Sequence, residues 1–526
     1  MKRSWLLVLM VLVFLREALC SETPQRPRIN GPDIYGVRPL SPIVYRLPVT
    51  GDRPMELSAE GLPKGVFFDA KKGVLSGRLD DFGTNSICFV ARNAAGETRR
   101  KFRLVGSDIV PLTPPMGFNT FGGLGSGSQM TEENVRASVR ALFEKGLVDH
   151  GYAYCNIDDG WQGKRTGPLR ALQANEKFPD IPGLFAWLHA EGVKGGLYST
   201  PWCTSYGGYQ GGSSTTSEGS WNRGVERASA EYVFDAEDAR QIADWGCDYW
   251  KYDSKLDYVS DALGRRPVEL GERMAAALKA QGRDIVFELS NTVDPDRPAE
   301  IDRLSATATM LRFEDDYIDA WETEKKPGCD FRHALQGVRD IWNLLKRWQP
   351  RTRTGHWVFP GPLRVGMLGG WDGKPLAPSR LTVPEQYTHV SLWCIWGSPL
   401  IIGAPIDKLD AFTLSLLTND EILAVDQDAL GSAPLDEDVP NGEVVRRLME
   451  NGDWVVGLFN PLGETESDVS VDRARLGLEG RWRVRDLWAH RDMGELGEKL
   501  TAKSVPRHGC RVYRLSRCER DDNAMF

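Results

Sequence analysis

No Cys-x-x-C pair occurs in the sequence, and its nine cysteines are scattered over 526 residues, so neither a zinc ribbon nor a disulfide scaffold can organise it. Once Cys20 is set aside as part of a leader, only isolated disulfides fit. The seven histidines make no metal-ligand spacing, and packing or surface roles account for them. A formal net charge of -8 with no basic stripe excludes a nucleic-acid surface and points to a neutral or small partner. Asn-x-Ser/Thr acceptors are absent too, which favours an exported bacterial protein over a glycosylated eukaryotic one.

What is present first is a leader. Lys2 and Arg3 precede an apolar run from Trp5 to Leu15, and Ala18-Leu19-Cys20 stands before Ser21. This is the grammar of a signal peptide over residues 1–20, giving a secreted or periplasmic protein with no stable membrane insertion after cleavage. A membrane anchor needs a longer apolar run, roughly 20 residues. A lipoprotein modified on Cys20 is the other alternative, although Glu17 fits such a signal badly.

Three grammars follow. Residues 26–107 show short strand-like runs between turns, such as Gly61-Leu62-Pro63-Lys64-Gly65-Val66 and Gly73-Val74-Leu75-Ser76-Gly77, and predict a small β-sandwich. From 110 to 426, amphipathic helices ending in glycine alternate with short apolar strands, which implies a parallel sheet. Val135, Val139 and Leu142 make one buried helical stripe. Strands near Met116, Ala153, Gly195, Asp248, Ile285, Thr309, His356 and Leu400 number eight and suit a closed (β/α)₈ TIM barrel of the α/β class. Residues 427–518 read as an antiparallel β-domain with a hairpin through Asn451-Gly452. The glycine- and serine-rich stretch from Gly207 to Gly224 follows the third strand and is either a flexible insertion or a lid over the barrel mouth.

The chemistry sits where barrel strands end in acid: Asn156-Ile157-Asp158-Asp159-Gly160-Trp161, Tyr249-Trp250-Lys251-Tyr252-Asp253 and Met310-Leu311-Arg312-Phe313-Glu314-Asp315-Asp316. Lys251 and Asp253 share a strand face, so the lysine is expected to keep Asp253 ionised as a nucleophile; a structural salt bridge is the plain alternative. Repulsion among Glu314, Asp315 and Asp316 is expected to raise one pKa, as a general acid requires, unless these are only surface acids. Asp158 and Asp159 can accept from sugar hydroxyls while Trp161 offers an apolar face to the ring; an N-cap and a core tryptophan are the alternatives. Three acidic segments after three separate strands would meet at one rim.

These residues carry a resemblance. Thr113-Pro114-Pro115-Met116-Gly117-Phe118-Asn119-Thr120-Phe121 resembles the opening signature of the α-galactosidases and α-N-acetylgalactosaminidases of glycoside hydrolase family twenty-seven. Tyr154 to Trp161, Val193 to Ser199 and Asp248 to Asp253 resemble that family's second, third and fourth strand motifs. Ser391 to Ile401 and Val425 to Gly431 resemble its closing barrel signature. The N-terminal stretch is similar to immunoglobulin-like modules of bacterial secreted enzymes, whose role is spacing or carbohydrate binding.

The resemblance implies a retaining glycosidase acting on terminal α-galactose-like residues, without metal or organic cofactor. Asp253 is then the nucleophile and Asp316 the acid/base, roughly 5 to 5.5 Å apart. Arg312 contacts the sugar, Asp158 and Asp159 hold hydroxyls, Tyr198, Lys251 and Phe121 complete the pocket, and Trp321 lies behind the acid/base loop. Three departures bear on specificity. The family's Cys-Glu-Trp segment is Glu288-Leu289-Ser290-Asn291 here, so either Glu288 or Ser290 faces the 2-substituent. Its Asp-Pro-Asp-Met-Leu segment after His356-Trp357 is replaced by Val358-Phe359-Pro360-Gly361-Pro362-Leu363, which removes a carboxylate. The disulfide of the animal enzymes is missing a partner, since Lys255 stands where Cys203 would need a cysteine. α-N-Acetylgalactosaminidase and β-L-arabinopyranosidase are the rival enzymes, and a carbohydrate-binding pseudo-enzyme is the rival of another class.

Overall fold

The computed structural model describes residues 25–225, 228–253, 264–265, 267–290, 298–312, 316–323 and 336–518. The leader, Lys255, Asn291, Glu314 and Asp315 lie outside the described residues. Eight parallel strands form the central sheet: β1 Met116–Asn119, β2 Tyr154–Asn156, β3 Lys194–Ser199, β4 Tyr249–Asp253, β5 Val286–Ser290, β6 Met310–Leu311, β7 Trp357–Val358 and β8 Leu400–Ile402. They pair in the order β7-β6-β5-β4-β3-β2-β1-β8, and a parallel bridge between Leu363 and Ile402 brings the two ends of this curled, barrel-like sheet together.

A helix follows each strand: α1 Glu132–Glu144, α2 Ile181–Ala190, α3 Asp235–Trp245, α4 Pro267–Lys279, α5 Pro298–Thr307, α6 Val338–Leu345, α7 Val383–Trp396 and α8 Ala411–Leu417. Local chemistry sets their ends. Thr131 caps α1 by accepting from the Asn134 amide, Glu132 and Glu133 occupy its first turn, and Gly246 closes α3 at φ 93. The predicted stripe holds, with Val135, Val139 and Leu142 all at 0% exposure. Gly195 on β3 allows α2 to pack closely, since a Cβ there would stand 2.4 Å from the Phe185 ring.

Strand alternation sorts the side chains. Tyr249 points into the barrel and shares a small inner core with Tyr154, Val286, Met310, Trp357 and Ile401. Trp250 and Tyr252 point outward into the large core beneath the helices. Lys251 and Asp253 share Tyr249's face nearer the strand's C-terminal end, so the inner core forms a floor beneath them.

β7 is only two residues long for a reason legible in its chain. Pro360 and Pro362 have no N–H to donate, and Gly361 adopts φ 116. The Phe359 amide still bonds Leu311 O, and the ladder resumes where Leu363 N donates to Ile401 O at 2.7 Å. The intervening backbone is pinned from outside, because Trp393 Nε1 donates to Gly361 O and the Tyr317 hydroxyl donates to Pro362 O.

Before the barrel, Ile34–Val37, Gly83–Asn93, Gly96–Gly106 and Glu56–Glu60 form one sheet, and Ile43–Arg46, Val66–Asp69 and Val74–Gly77 a second. The two share a core of their own around Tyr45, Phe89 and Phe102. This unit meets the barrel at the strand N-termini, where Lys194 lies over the rings of Tyr35 and Tyr154, and where Arg38 bonds Asp284 and Lys72 bonds Glu191.

After the barrel comes an antiparallel β-sandwich with a six-stranded sheet and a two-stranded partner. Its hairpin turns through Asn451 and Gly452, the latter at φ 83. Alternation gives the six-stranded sheet two apolar faces. Val444, Val456 and Tyr513 fill the sandwich, whereas Val445, Val455 and Val512 join the core of the barrel across α7. Among the described residues seven cysteines are free, Cys203 included.

Candidate active site

Nine of the expected residues converge on one cavity of about 350 Å³ at the C-terminal ends of the strands: Phe121, Asp158, Asp159, Tyr198, Lys251, Asp253, Glu288, Arg312 and Asp316. The (β/α)₈ order explains the meeting, because the C-terminal ends of β1 to β6 all lie on the same end of the parallel sheet.

Asp158 sits in a cage of donors. Asn119 Nδ2 and Lys251 Nζ donate to its Oδ2 at 2.6 and 3.0 Å. No helix begins there, so neither Asp158 nor Asp159 is an N-cap. Asp159 accepts from Gln162 Nε2, Ser205 Oγ and the Gly207 amide at 3.0, 2.8 and 2.6 Å. Burial lifts it to about 6 against these bonds. The glycine-rich stretch therefore begins as a wall of the cavity, with Tyr206 and Gly207 lining it.

That wall is anchored by a buried ion pair. Arg165, in the hairpin after β2, donates to both carboxylate oxygens of Asp238 on α3 at 2.6 and 2.7 Å and to Gly211 O at 2.8 Å; the charged pair is 0% exposed on both sides. Arg165→Met leaves Asp238 buried without its countercharge and should lower stability by roughly 3–5 kcal/mol, read from the denaturant midpoint. Adding Asp238→Leu should recover most of that loss; if the double variant is as unstable as the single one, the pair is not the anchor.

Asp253 receives the Tyr198 hydroxyl at 3.1 Å, with Lys251 Nζ at 4.0 Å from the same oxygen. Burial raises it to about 7, Lys251 opposes the rise, and Asp158 and Asp316 add to it. Asp316 behaves in the opposite way. Arg312 Nη2 donates to it at 2.6 Å, and this guanidinium holds the carboxyl far below the usual carboxylate range, although the Asp316 side chain is 64% exposed. At Asp253 and Asp316 the balance runs against the expectation. The lysine is shared with Asp158 and does not offset the desolvation of Asp253, and at Asp316 the arginine four residues before it outweighs the burial that would raise the carboxyl.

Glu288 stands level with Lys251 across β4 and β5, and Ser290 level with Asp253. Glu288 lines the cavity, accepts from the Tyr249 hydroxyl and is raised by burial. Ser290 does not line it. That side chain is 0% exposed and its Oγ has no partner among the described residues, so it offers no open space for a larger 2-substituent.

Two tryptophans are likewise not brought to the cavity. Trp161 is fully buried, packs edge-on against Trp245 and Trp250, and donates to Tyr198 O. Gly160 at φ 120 turns the chain inward there. Trp161 thus supports the wall from behind and presents no face to a ring. Trp321 is 8% exposed and stacks on His508 of the C-terminal sandwich at 4.4 Å.

Other cavity residues were not expected: Asn119, Phe359, Pro362, Arg364 and Ile401. Asn119 sat inside the opening signature; the rest come from the altered β7 segment and β8, whose residue types carry no chemical motif. Among the described residues no cluster of histidine, cysteine, aspartate or glutamate could hold a metal ion, and no helix is long and apolar enough to cross a membrane.

A cavity of carboxylates, hydroxyl and cationic groups over a barrel floor suits a neutral polyhydroxylated ligand, and comparison with known proteins agrees. Residues 127–428 match the family model described as alpha galactosidase A, and residues 441–515 that of the alpha galactosidase C-terminal beta sandwich domain. An α-galactosidase of Oryza sativa is 28% identical over 431 residues, covering 81% of this chain and 90% of that protein. A Bacteroides fragilis structure provisionally described as an α-galactosidase superposes with TM-score 0.81 at 27% identity, covering 95% of this chain and all of that one. A family twenty-seven β-L-arabinopyranosidase of Geobacillus stearothermophilus superposes with TM-score 0.61 at 25% identity, covering 78% and 97%. With more than half of its length matching one family model and its acids gathered at the barrel mouth, the chain belongs to the α-galactosidase family, glycoside hydrolase family twenty-seven, and is a glycosidase.

Proposed function

We propose that the protein is an exported retaining α-galactosidase in which Asp253 is the nucleophile and Asp316 the acid/base. What carries this reading is that two carboxylates from separate strands, Asp253 ending β4 and Asp316 after β6, open into one cavity and feel each other's charge. In the first step Asp253 attacks the anomeric carbon, and Asp316 protonates the departing glycosidic oxygen. In the second, Asp316 takes a proton from water, which attacks the glycosyl-enzyme ester and frees Asp253.

In the resting site burial favours a protonated Asp253 and Arg312 favours an ionised Asp316, so a sugar hydroxyl that takes up Arg312 would ease proton uptake by Asp316. Two coupled carboxyls share one titration, and the useful microstate is the one that substrate selects. Asp158, Asp159 and Lys251 hold the hydroxyls on the far side of the ring. Glu288 is the residue of the pair available to read the 2-hydroxyl, which favours galactose over N-acetylgalactosamine. Trp321 supports the Asp316 segment from behind.

The division into residues 1–20, 26–107, 110–426 and 427–518 belongs to the same reading, with an immunoglobulin-like N-terminal module. Its contact with the strand N-termini, at the end of the barrel away from the cavity, supports a spacer and not a second grip on the same sugar.

Aryl α-galactoside, α-N-acetylgalactosaminide and β-L-arabinopyranoside separate the candidates. Turnover of the α-galactoside should exceed that of the N-acetyl sugar by at least about 100-fold if Glu288 bonds the 2-hydroxyl, since a site built around that bond rejects its loss. Proton NMR should show α-galactose as the first product. Appearance of the β anomer first overturns the retaining mechanism, and preference for the arabinopyranoside overturns the sugar.

A further inference from the structure

The cavity wall holds three cations, of which two bond carboxylates, Lys251 to Asp158 and Arg312 to Asp316. The third is Arg364, just beyond the Pro360–Pro362 segment that breaks β7. Among the described residues its guanidinium has neither a hydrogen bond nor an ion pair, and its Nε is closed off from solvent without a partner. Its backbone is fixed on both sides, the amide donating to His389 Nε2 at 3.0 Å and the carbonyl accepting from Ser379 Oγ at 2.9 Å. Burial, aided by Arg364, drives His389 down to about 3, so the imidazole behind the arginine is neutral and free to accept.

The arginine also lies on a particular side of the cavity. Its guanidinium carbon is 5.7 Å from the ring centroid of Tyr317, the neighbour of Asp316, and its charge helps hold Asp316 ionised. A half-buried guanidinium without an acceptor is costly, and its planar fork matches the two oxygens of a carboxylate or sulfate. The stretch that precedes it, Phe359 to Leu363, contains no acidic side chain to serve as that acceptor.

Resting on the reading of Asp316 as acid/base, which puts its flank beside the departing sugar, we infer that Arg364 binds an anionic substituent, a carboxylate or a sulfate, on the leaving-group sugar. The substrate class is then α-galactosides of acidic saccharides.

The test compares galactosyl-glucose, galactosyl-glucuronate and a sulfated galactosyl-glucose of the same linkage on the full chain. Wild-type enzyme should show roughly tenfold higher kcat/KM for one charged substrate over the neutral one, mostly through KM, as expected of one charge-assisted contact. The preference should shrink with added salt. In Arg364→Gln the charged-to-neutral ratio should fall to about one, and Arg364→Lys should keep part of it. Which anion is favoured identifies the source. Turnover of the neutral substrate with no charged preference, or a preference unchanged in Arg364→Gln, overturns this inference and leaves the α-galactosidase reading intact. No turnover of any of the three, nor of an aryl α-galactoside, counts against that reading itself. If Arg364→Gln does not fold, the wild-type ratio and its salt dependence still decide.

Discussion

Asp253→Asn should abolish turnover, by roughly five orders of magnitude in kcat/KM, while making the protein more stable at alkaline pH. The first effect follows from loss of the only covalent route, since a carboxamide cannot form the glycosyl ester. The second follows from the raised value of about 7 for Asp253. Between about pH 4, where a carboxyl in the unfolded chain ionises, and about 7, the folded protein binds the extra proton. Stability from this group therefore falls as pH rises through that window, and above it the buried charge works against the fold. The carboxamide of the variant carries no such charge and still accepts from Tyr198. Its melting temperature should exceed that of the wild type at pH 8, by an equivalent on the order of a few kcal/mol, and converge with it near pH 4. Equal melting at pH 8 would mean that Lys251 fully neutralises Asp253 in the folded state.

Asp316→Ala should show a loss that depends on the leaving group. General acid catalysis is worth about 10²–10⁴-fold, and an oligosaccharide leaving group needs all of it, whereas a nitrophenolate departs with little help. The variant should lose about 10³-fold or more on galactosyl disaccharides and far less in glycosylation by aryl galactosides. Breakdown of its glycosyl-enzyme, which still needs a base, should then limit the rate and be rescued by azide, giving galactosyl azide with retained configuration. A uniform loss across leaving groups, without azide rescue, would remove Asp316 from this role and leave Arg312 as the residue to test.

Much of this was legible in the chain. Eight apolar segments near Met116, Ala153, Gly195, Asp248, Ile285, Thr309, His356 and Leu400 became eight strands, because short apolar runs after glycine-capped helices have few other places to go. Alternation put Lys251 and Asp253 on one face for the same reason. The direction of Trp161 was not legible, since an aromatic after a turn can face the mouth or the core, and only the φ of Gly160 and the packing of Trp245 and Trp250 decide. Nor were the resting charges of Asp253 and Asp316, which depend on how far each is withdrawn from water and on which cation reaches it first. Arg364 escaped notice because a lone arginine near prolines has no pattern; its meaning arises from a cavity formed by β6, β7 and β8 together.

The six-stranded sheet of the C-terminal sandwich presents Val445, Val455 and Val512 to the same apolar interior that α7 and the barrel strands fill, whereas the N-terminal sheets enclose an interior separate from it. The two ends of the chain are consequently unequal as building blocks. Losing the front unit should cost the barrel mainly polar contacts at its strand N-termini, such as Arg38 with Asp284 and Lys72 with Glu191, and leave its oily seam sealed. Cutting away the rear one strips the cover from α7 beside the Pro360–Pro362 gap, where the wheel of strands is stitched least, and so the rear sheet is a structural wall of the enzyme itself.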